Sequence, residues 1–232
     1  MPKINTDDML KVHKSLKSAG LDFVFIGGGI LGFLIDDPLA SPVRTTIDID
    51  VVLDIVTDPG QMLLEEKLSS VGFRHDMNDR APRCRWIFEN IKVDILSIKD
   101  KFSGMNMKWL RETVSMPLEI KMDGIVFKVA SPACFVAMKL EAFKDRGMAD
   151  YLGSRDIEDV ISVIDGRSSI VEEIKSSDPK VTEFISKTIA ELLQKNEFTA
   201  SISGHLMPDP ASQKRRLIVI ERLNGISQLH GD

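Results

Sequence analysis

The chain has 232 residues, a formal net charge of -5 and a 43% hydrophobic fraction. That length fits one large domain or two small ones and can bury a core without staples, and the acidic balance excludes a strongly basic nucleic-acid-binding body. Two cysteines, Cys84 and Cys134, exclude a disulfide framework and a cysteine-rich zinc cluster and point to a reducing compartment, the cytoplasm. The opening MPKINTDDMLKVHKSL lacks an apolar secretory region, and no apolar run is long enough to span a bilayer.

In chain order, residues 7–18 read as a helix with Met9, Leu10, Val12 and Leu16 on its apolar side. LDFVFI reads as a buried strand closed by Gly27, Gly28 and Gly29. ILGFLI begins a helix that Pro38 and Pro42 keep short. TIDIDVVLDIV is the next strand, and PGQMLLEEKLSSVGF a helix ending at Gly72. RCRWIF and IKVDILSI form a hairpin with Glu89–Asn90 at its turn. Residues 101–115 are irregular or helical, and LEIKMDGIVFKVA gives a second hairpin turning at Asp123–Gly124.

After Ala130 the pattern turns helical. Ser131 is the expected N-cap, Pro132 the first helical residue and Gly147 the C-cap. Further helices are expected over 156–165, 168–175, 179–195 and 209–224. Strands first and helices later place a boundary near 130, between a sheet domain (1–130) and a helical region (131–232).

The stretch FVFIGGGILGFLIDDPLASPVRTTIDIDVVLD raises two site types. Gly27, Gly29 and Gly32 satisfy G-x-G-x-x-G after a strand, which is formally the fingerprint of an NAD- or FAD-binding oxidoreductase. Against it, Asp48 and Asp50 stand at the start of the second strand rather than at its end, where Asp54 lies, and the helix after the glycines is interrupted. The second type is a metal-and-triphosphate site. Strand side chains alternate, so Asp48 and Asp50 project from one face about 7 Å apart, with Ile47, Ile49 and Val51 directed to the core. Asp94, between Val93 and Ile95 in another apolar strand, completes a triad. Neighbouring carboxylates repel unless a cation or proton lies between them, and hard oxygen donors suit Mg²⁺. Such a triad holds two metals about 3.5–4 Å apart, with the glycine turn offering N–H groups to the phosphates.

These residues resemble the nucleotidyltransferase superfamily of DNA polymerase β type, and more closely its AbiEii-like members, some of which are toxins of toxin–antitoxin pairs. The resemblance rests on GGG, RTTIDIDVVL, VDIL and AMKLEAFKDRG with SRDIEDV, and covers roughly residues 20–165. It implies an α+β fold, a mixed sheet flanked by helices and followed by a helical C-terminal region. It implies catalytic and metal-binding roles for Asp48, Asp50 and Asp94, and nucleotide contacts from Gly27, Gly28, Arg44, Thr46 and Lys139. Arg155, Asp156 and Asp159 would support them. Two Mg²⁺ ions, an NTP and a hydroxyl acceptor (an RNA end, a protein or a small molecule) follow from the same likeness, as does an antitoxin partner. The usual glycine–serine pair is Gly27–Gly28 here, and Gly29 to Asp48 is longer than in many members.

Each assignment has a structural counterpart. Arg44 pairs with a carboxylate, Thr46 favours strand geometry, Lys139 snorkels from a packed helix face, and Asp156 with Asp159 caps a helix. The clusters Arg80, Arg83, Arg85 and Lys214, Arg215, Arg216 either meet RNA or are solvated surface. A non-catalytic interaction protein on the same scaffold is the third functional reading.

Overall fold

The computed structural model describes residues 6–54, 58–98, 108–147 and 149–229, and the chain divides into two units. The first comprises residues 1–30 and 44–130, the second residues 31–43 and 131–232.

The first unit is built on a seven-stranded sheet. Its strands are β1 (Phe23–Ile26), β2 (Asp48–Leu53), β3 (Phe73–His75), β4 (Arg85–Phe88), β5 (Ile91–Ser97), β6 (Leu118–Met122) and β7 (Ile125–Val129). The order is β3-β4-β5-β2-β1-β7-β6. β2 runs parallel to β5 and β1 parallel to β7, while the remaining neighbours are antiparallel. The apolar runs lie inside: β1 is wholly buried, whereas β6 at one edge alternates half-buried and exposed. Asp123 and Gly124 both have positive φ, +50° and +76°, as a two-residue Asp-Gly hairpin requires. Helices α1 (Thr6–Ser18), α3 (Asp58–Ser70) and α4 (Leu110–Ser115) belong to this unit, and α2 (Leu31–Leu34) to the other.

β2 starts at Asp48 rather than Thr46, and Ile47, expected in the core, is 44% exposed. The three-residue β3 was not expected, being too short for alternation to register. Of the segment 101–115, residues 108–115 lie within the described part and supply α4.

Among the polar groups buried in this unit is an imidazole. His13 on α1 packs against Phe127 at 4.6 Å and Phe23 at 5.4 Å between ring centroids, and its Nδ1 is buried without a hydrogen-bond partner among the described residues. Burial, with the charge of Lys17, lowers the His13 pKa. The unfolded chain therefore binds the proton more readily than the folded one. Stability is fully present above the unfolded value near about 6.5 and declines as pH falls through the folded value. Denaturant titrations between pH 7.5 and 5 are expected to show this loss, and His13→Leu to flatten it.

The second unit is helical: α2, α5 (Pro132–Arg146), α6 (Arg155–Gly166), α7 (Ile170–Lys175), α8 (Pro179–Leu193), α9 (Asn196–Ser201), α10 (Pro210–Lys214) and α11 (Arg216–Ser227). Ser131 caps α5, with Pro132 in its first turn, as the sequence suggests. The segment after α2 folds back on the end of α6: the Asp36 and Asp37 N–H groups donate to the Gly166 carbonyl at 2.9 and 3.0 Å. A side chain at Gly166 would press on Ile35 and Ala40, so this close approach needs glycine. Arg215 closes the same corner with Asp165 at 2.7 Å and Asp37 at 2.8 Å. It is therefore a buried structural arginine and not part of a basic surface. Among the described residues no helix is long and apolar enough to cross a membrane.

Candidate active site

The candidate site in the first unit is assembled by sheet register. The turn between β4 and β5 pairs Phe88 with Ile91, and counting outward sets Arg85 opposite Asp94. On the other side of β5, Asp94 is in register with Asp50 of β2, and Asp50 with Ile26 of β1. One lateral row thus runs Arg85, Asp94, Asp50, Ile26, and Gly27 follows directly. Asp48, two residues before Asp50, shares its face of β2.

Side-chain contacts divide the acids. The Arg85 guanidinium donates from Nε to Asp94 Oδ1 at 2.7 Å, and from Nη2 to Asp94 Oδ2 at 2.7 Å and Asp48 Oδ2 at 3.0 Å. Thr46 Oγ1 donates to Asp48 Oδ1 at 2.8 Å, so Thr46 orients Asp48. Asp94 is 1% exposed, a buried charge that requires such a partner. The hydrogen bonds that Arg85 donates to Asp94, with the charges of Asp94, Asp48 and Asp50, outweigh burial and raise the Arg85 pKa, so the guanidinium stays charged. The cluster expected at Arg80, Arg83 and Arg85 is thus split, because Arg85 points into the acids.

Asp50 lies against the glycine turn. Gly27 has φ +70°, and a Cβ there would overlap the Asp50 carboxylate. A Cβ at Gly28 would come within 2.7 Å of Arg44 Nη2, so the Arg44 guanidinium rests on the turn. Gly27 is favoured by close approach as well as by backbone angle, and Gly28 by close approach to Arg44 alone. Gly27→Ala is expected to lower stability by about 1–2 kcal/mol from the left-handed backbone alone, before the Asp50 overlap is added. Thermal unfolding checks this, with Gly29→Ala, where a Cβ meets nothing closer than Thr46 Cγ2 at 3.6 Å, as the mild control.

Cys84 neighbours the acids but offers no nucleophile. Burial, then the charges of Asp94 and Asp50, push its thiol up to about 12.

Hard carboxylate donors on one face, with a cation already between two of them, fit a divalent ion in donor type and charge. They are not gathered as a closed cage: among the described residues no group of three His, Cys, Asp or Glu side chains converges for a metal. The sequence offers Arg85 only within an RNA-contacting or solvated cluster, although the hairpin register contains its pairing with Asp94.

Lys139, Arg155, Asp156 and Asp159 belong to the second unit. Lys139 Nζ lies 2.6 Å from Asp159 Oδ2 and 3.3 Å from Asp156 Oδ1. Arg146 donates to both Asp156 oxygens at 3.0 Å. Burial raises the Asp156 pKa, but the Arg146 hydrogen bond and the Lys139 charge outweigh it and hold it below the usual range. Ser154, not Asp156, caps α6, accepting from the Ile157 N–H. Arg155 is exposed in the first turn.

The topology decides between the two readings of the glycines. A dinucleotide crevice needs β1 and the following strand parallel, joined by a full crossover helix. Here β1 and β2 are antiparallel, and the helix after the glycines is the one-turn α2. The antiparallel pairing thus rules out a dinucleotide crevice at these glycines.

No protein-family model matches the chain, and no curated protein does. Among solved structures, it is similar to an antigenic nucleotidyltransferase-like protein from Paracoccidioides brasiliensis, with a TM-score of 0.56 and 18% identity over 87% of this chain and 94% of that one. The fold is nucleotidyltransferase-like. A putative nucleotidyltransferase from H. pylori also aligns, with a TM-score of 0.45 and 12% identity over 96% of this chain and 91% of that one. At 18% identity the likeness to the Paracoccidioides brasiliensis protein concerns architecture alone, a mixed sheet flanked by helices with a helical C-terminal region.

Proposed function

We propose that the protein is a Mg²⁺-dependent nucleotidyltransferase that moves a nucleoside monophosphate from an NTP to a hydroxyl acceptor. The observation that carries this reading is the placement of Asp48, Asp50 and Asp94 on one face of adjacent parallel strands, beside a glycine turn. Mg²⁺, held by these carboxylates, would supply charge neutralisation at the phosphates and activation of the attacking oxygen. The chain's own residues do the positioning. Thr46 fixes Asp48, Gly27 gives Asp50 room, and the turn from Gly27 to Gly29 offers backbone N–H groups to phosphate oxygens. Arg44, resting on Gly28, adds a fixed positive charge.

In the transfer, the acceptor oxygen bonds to the α-phosphorus, the bond to the β-phosphate bridging oxygen breaks, and pyrophosphate leaves. Asp94 orients the acceptor hydroxyl or helps take its proton. Catalysis comes mainly from positioning and electrostatics. Lys139 has no part in this account, because Asp159 and Asp156 already engage it. The sequence resemblance to AbiEii-like proteins extends the reading to a cytoplasmic toxin paired with an antitoxin, with an RNA end, a protein or a small molecule as acceptor.

The Arg85 bridge favours one second reading, a non-catalytic interaction protein on the same scaffold. Incubation with each of the four ribonucleotides labelled at the α-phosphate, Mg²⁺ and a cell extract separates the two. Label on a product, lost in Asp50→Asn, supports transfer. No label from any nucleotide contradicts it.

A further inference from the structure

We propose that Arg85 is the resident counter-cation of the Asp48–Asp94 pair and gates metal loading: a divalent ion enters only as the guanidinium leaves, drawn out by the nucleotide's phosphates. The inference rests on the metal role proposed above for these carboxylates.

Three observations carry it. First, a single nitrogen, Arg85 Nη2, joins Asp48 Oδ2 and Asp94 Oδ2, at 3.0 and 2.7 Å. A metal held by these carboxylates would compete with Arg85 for them, since two cations cannot share them without strong repulsion. Second, all four carboxylate oxygens of the pair are engaged: Asp94 Oδ1 by Arg85 Nε, Asp94 Oδ2 and Asp48 Oδ2 by Arg85 Nη2, and Asp48 Oδ1 by Thr46. Asp94 is too deeply buried to stand without a cation, so the change must be an exchange rather than a simple release. Third, the Arg85 side chain is 17% exposed while that of Asp94 is 2%, so Arg85 reaches solvent where Asp94 does not.

An arginine fork suits phosphate oxygens as well as carboxylates. A triphosphate arriving at the glycine turn offers the anion to which Arg85 can transfer, and the ion arriving with it takes over Asp48 and Asp94. Metal and nucleotide therefore bind with positive coupling, and the metal alone binds weakly.

The test measures Mn²⁺ binding by electron paramagnetic resonance, with and without a non-hydrolysable α,β-methylene triphosphate, in wild type, Arg85→Met and Arg85→Lys. Wild type is expected to bind Mn²⁺ about 5–150-fold more tightly when the nucleotide is present, the usual range of coupling between sites. Arg85→Met is expected to bind Mn²⁺ alone at least about tenfold more tightly than wild type, to lose most of the coupling, and to gain more thermal stability from Mn²⁺. Arg85→Lys, which keeps the charge but not the fork, is expected to fall between the two, and it carries the test if Arg85→Met does not fold. Equal Mn²⁺ affinity in wild type and both variants without nucleotide would overturn the gate and leave the metal reading intact. No Mn²⁺ binding in any variant, even with nucleotide, would overturn both.

Discussion

Asp48→Asn is expected to lower nucleotidyl transfer by about 10²–10³-fold, the usual cost of removing one preorganised electrostatic contact from a transition state. The substitution keeps the shape of the site. An asparagine carbonyl oxygen can still accept from Thr46 Oγ1 or Arg85 Nη2, which now meet Asp48 at 2.8 and 3.0 Å. What is lost is the negative charge. Arg85 keeps both bonds to Asp94, so the buried carboxylate retains its counter-charge and the unfolding midpoint should move little. A stopped-time assay of labelled product, with thermal unfolding on the same samples, checks the pair of outcomes. A large fall in rate with an unchanged midpoint supports a chemical role. An unchanged rate would make Asp48 only an anchor for Arg85.

Lys139→Met is expected to destabilise the protein by about 3–5 kcal/mol, the range for removing one partner of a buried ion pair. Asp159 is 0% exposed, and Lys139 Nζ stands 2.6 Å from it. Asp156 keeps Arg146, while Asp159 loses its 2.6 Å ion pair with Lys139. The double variant Lys139→Met with Asp159→Leu removes both charges and should recover most of the loss, because two apolar groups need no partner. Urea titration of the two single variants and the double variant measures the coupling. A lysine serving nucleotide phosphates would instead raise KM and leave the midpoint in place.

The sequence was legible where short rules act. Proline and glycine punctuation, the turn at Asp123–Gly124 and the cap at Ser131 all have local causes and appear in the structure. Alternation within DIDVV placed Asp48 and Asp50 on one face for the same reason. Arg85 shows what a residue-by-residue reading misses. In RCRW it looks like part of a basic surface, yet pairing Phe88 with Ile91 across a two-residue turn already sets Arg85 opposite Asp94. Register, a long-range consequence of a local turn, held that signal. Arg215 in KRR was misread for another reason. Its partners, Asp37 and Asp165, lie far from it in the chain, and no local pattern announces such a contact. The dinucleotide motif matched by spacing alone, and strand direction, which spacing cannot encode, removed it.

The central claim is that the carboxylate face of the sheet takes up a triphosphate together with a divalent ion. Calorimetric titration of a non-hydrolysable NTP into the full chain, once with Mg²⁺ and once with EDTA, tests it most directly. Saturable binding in Mg²⁺ that disappears in EDTA, and is absent in Asp48→Asn with Asp50→Asn, is the expected result. Binding of the same strength in both solutions, or none in either, would contradict the account.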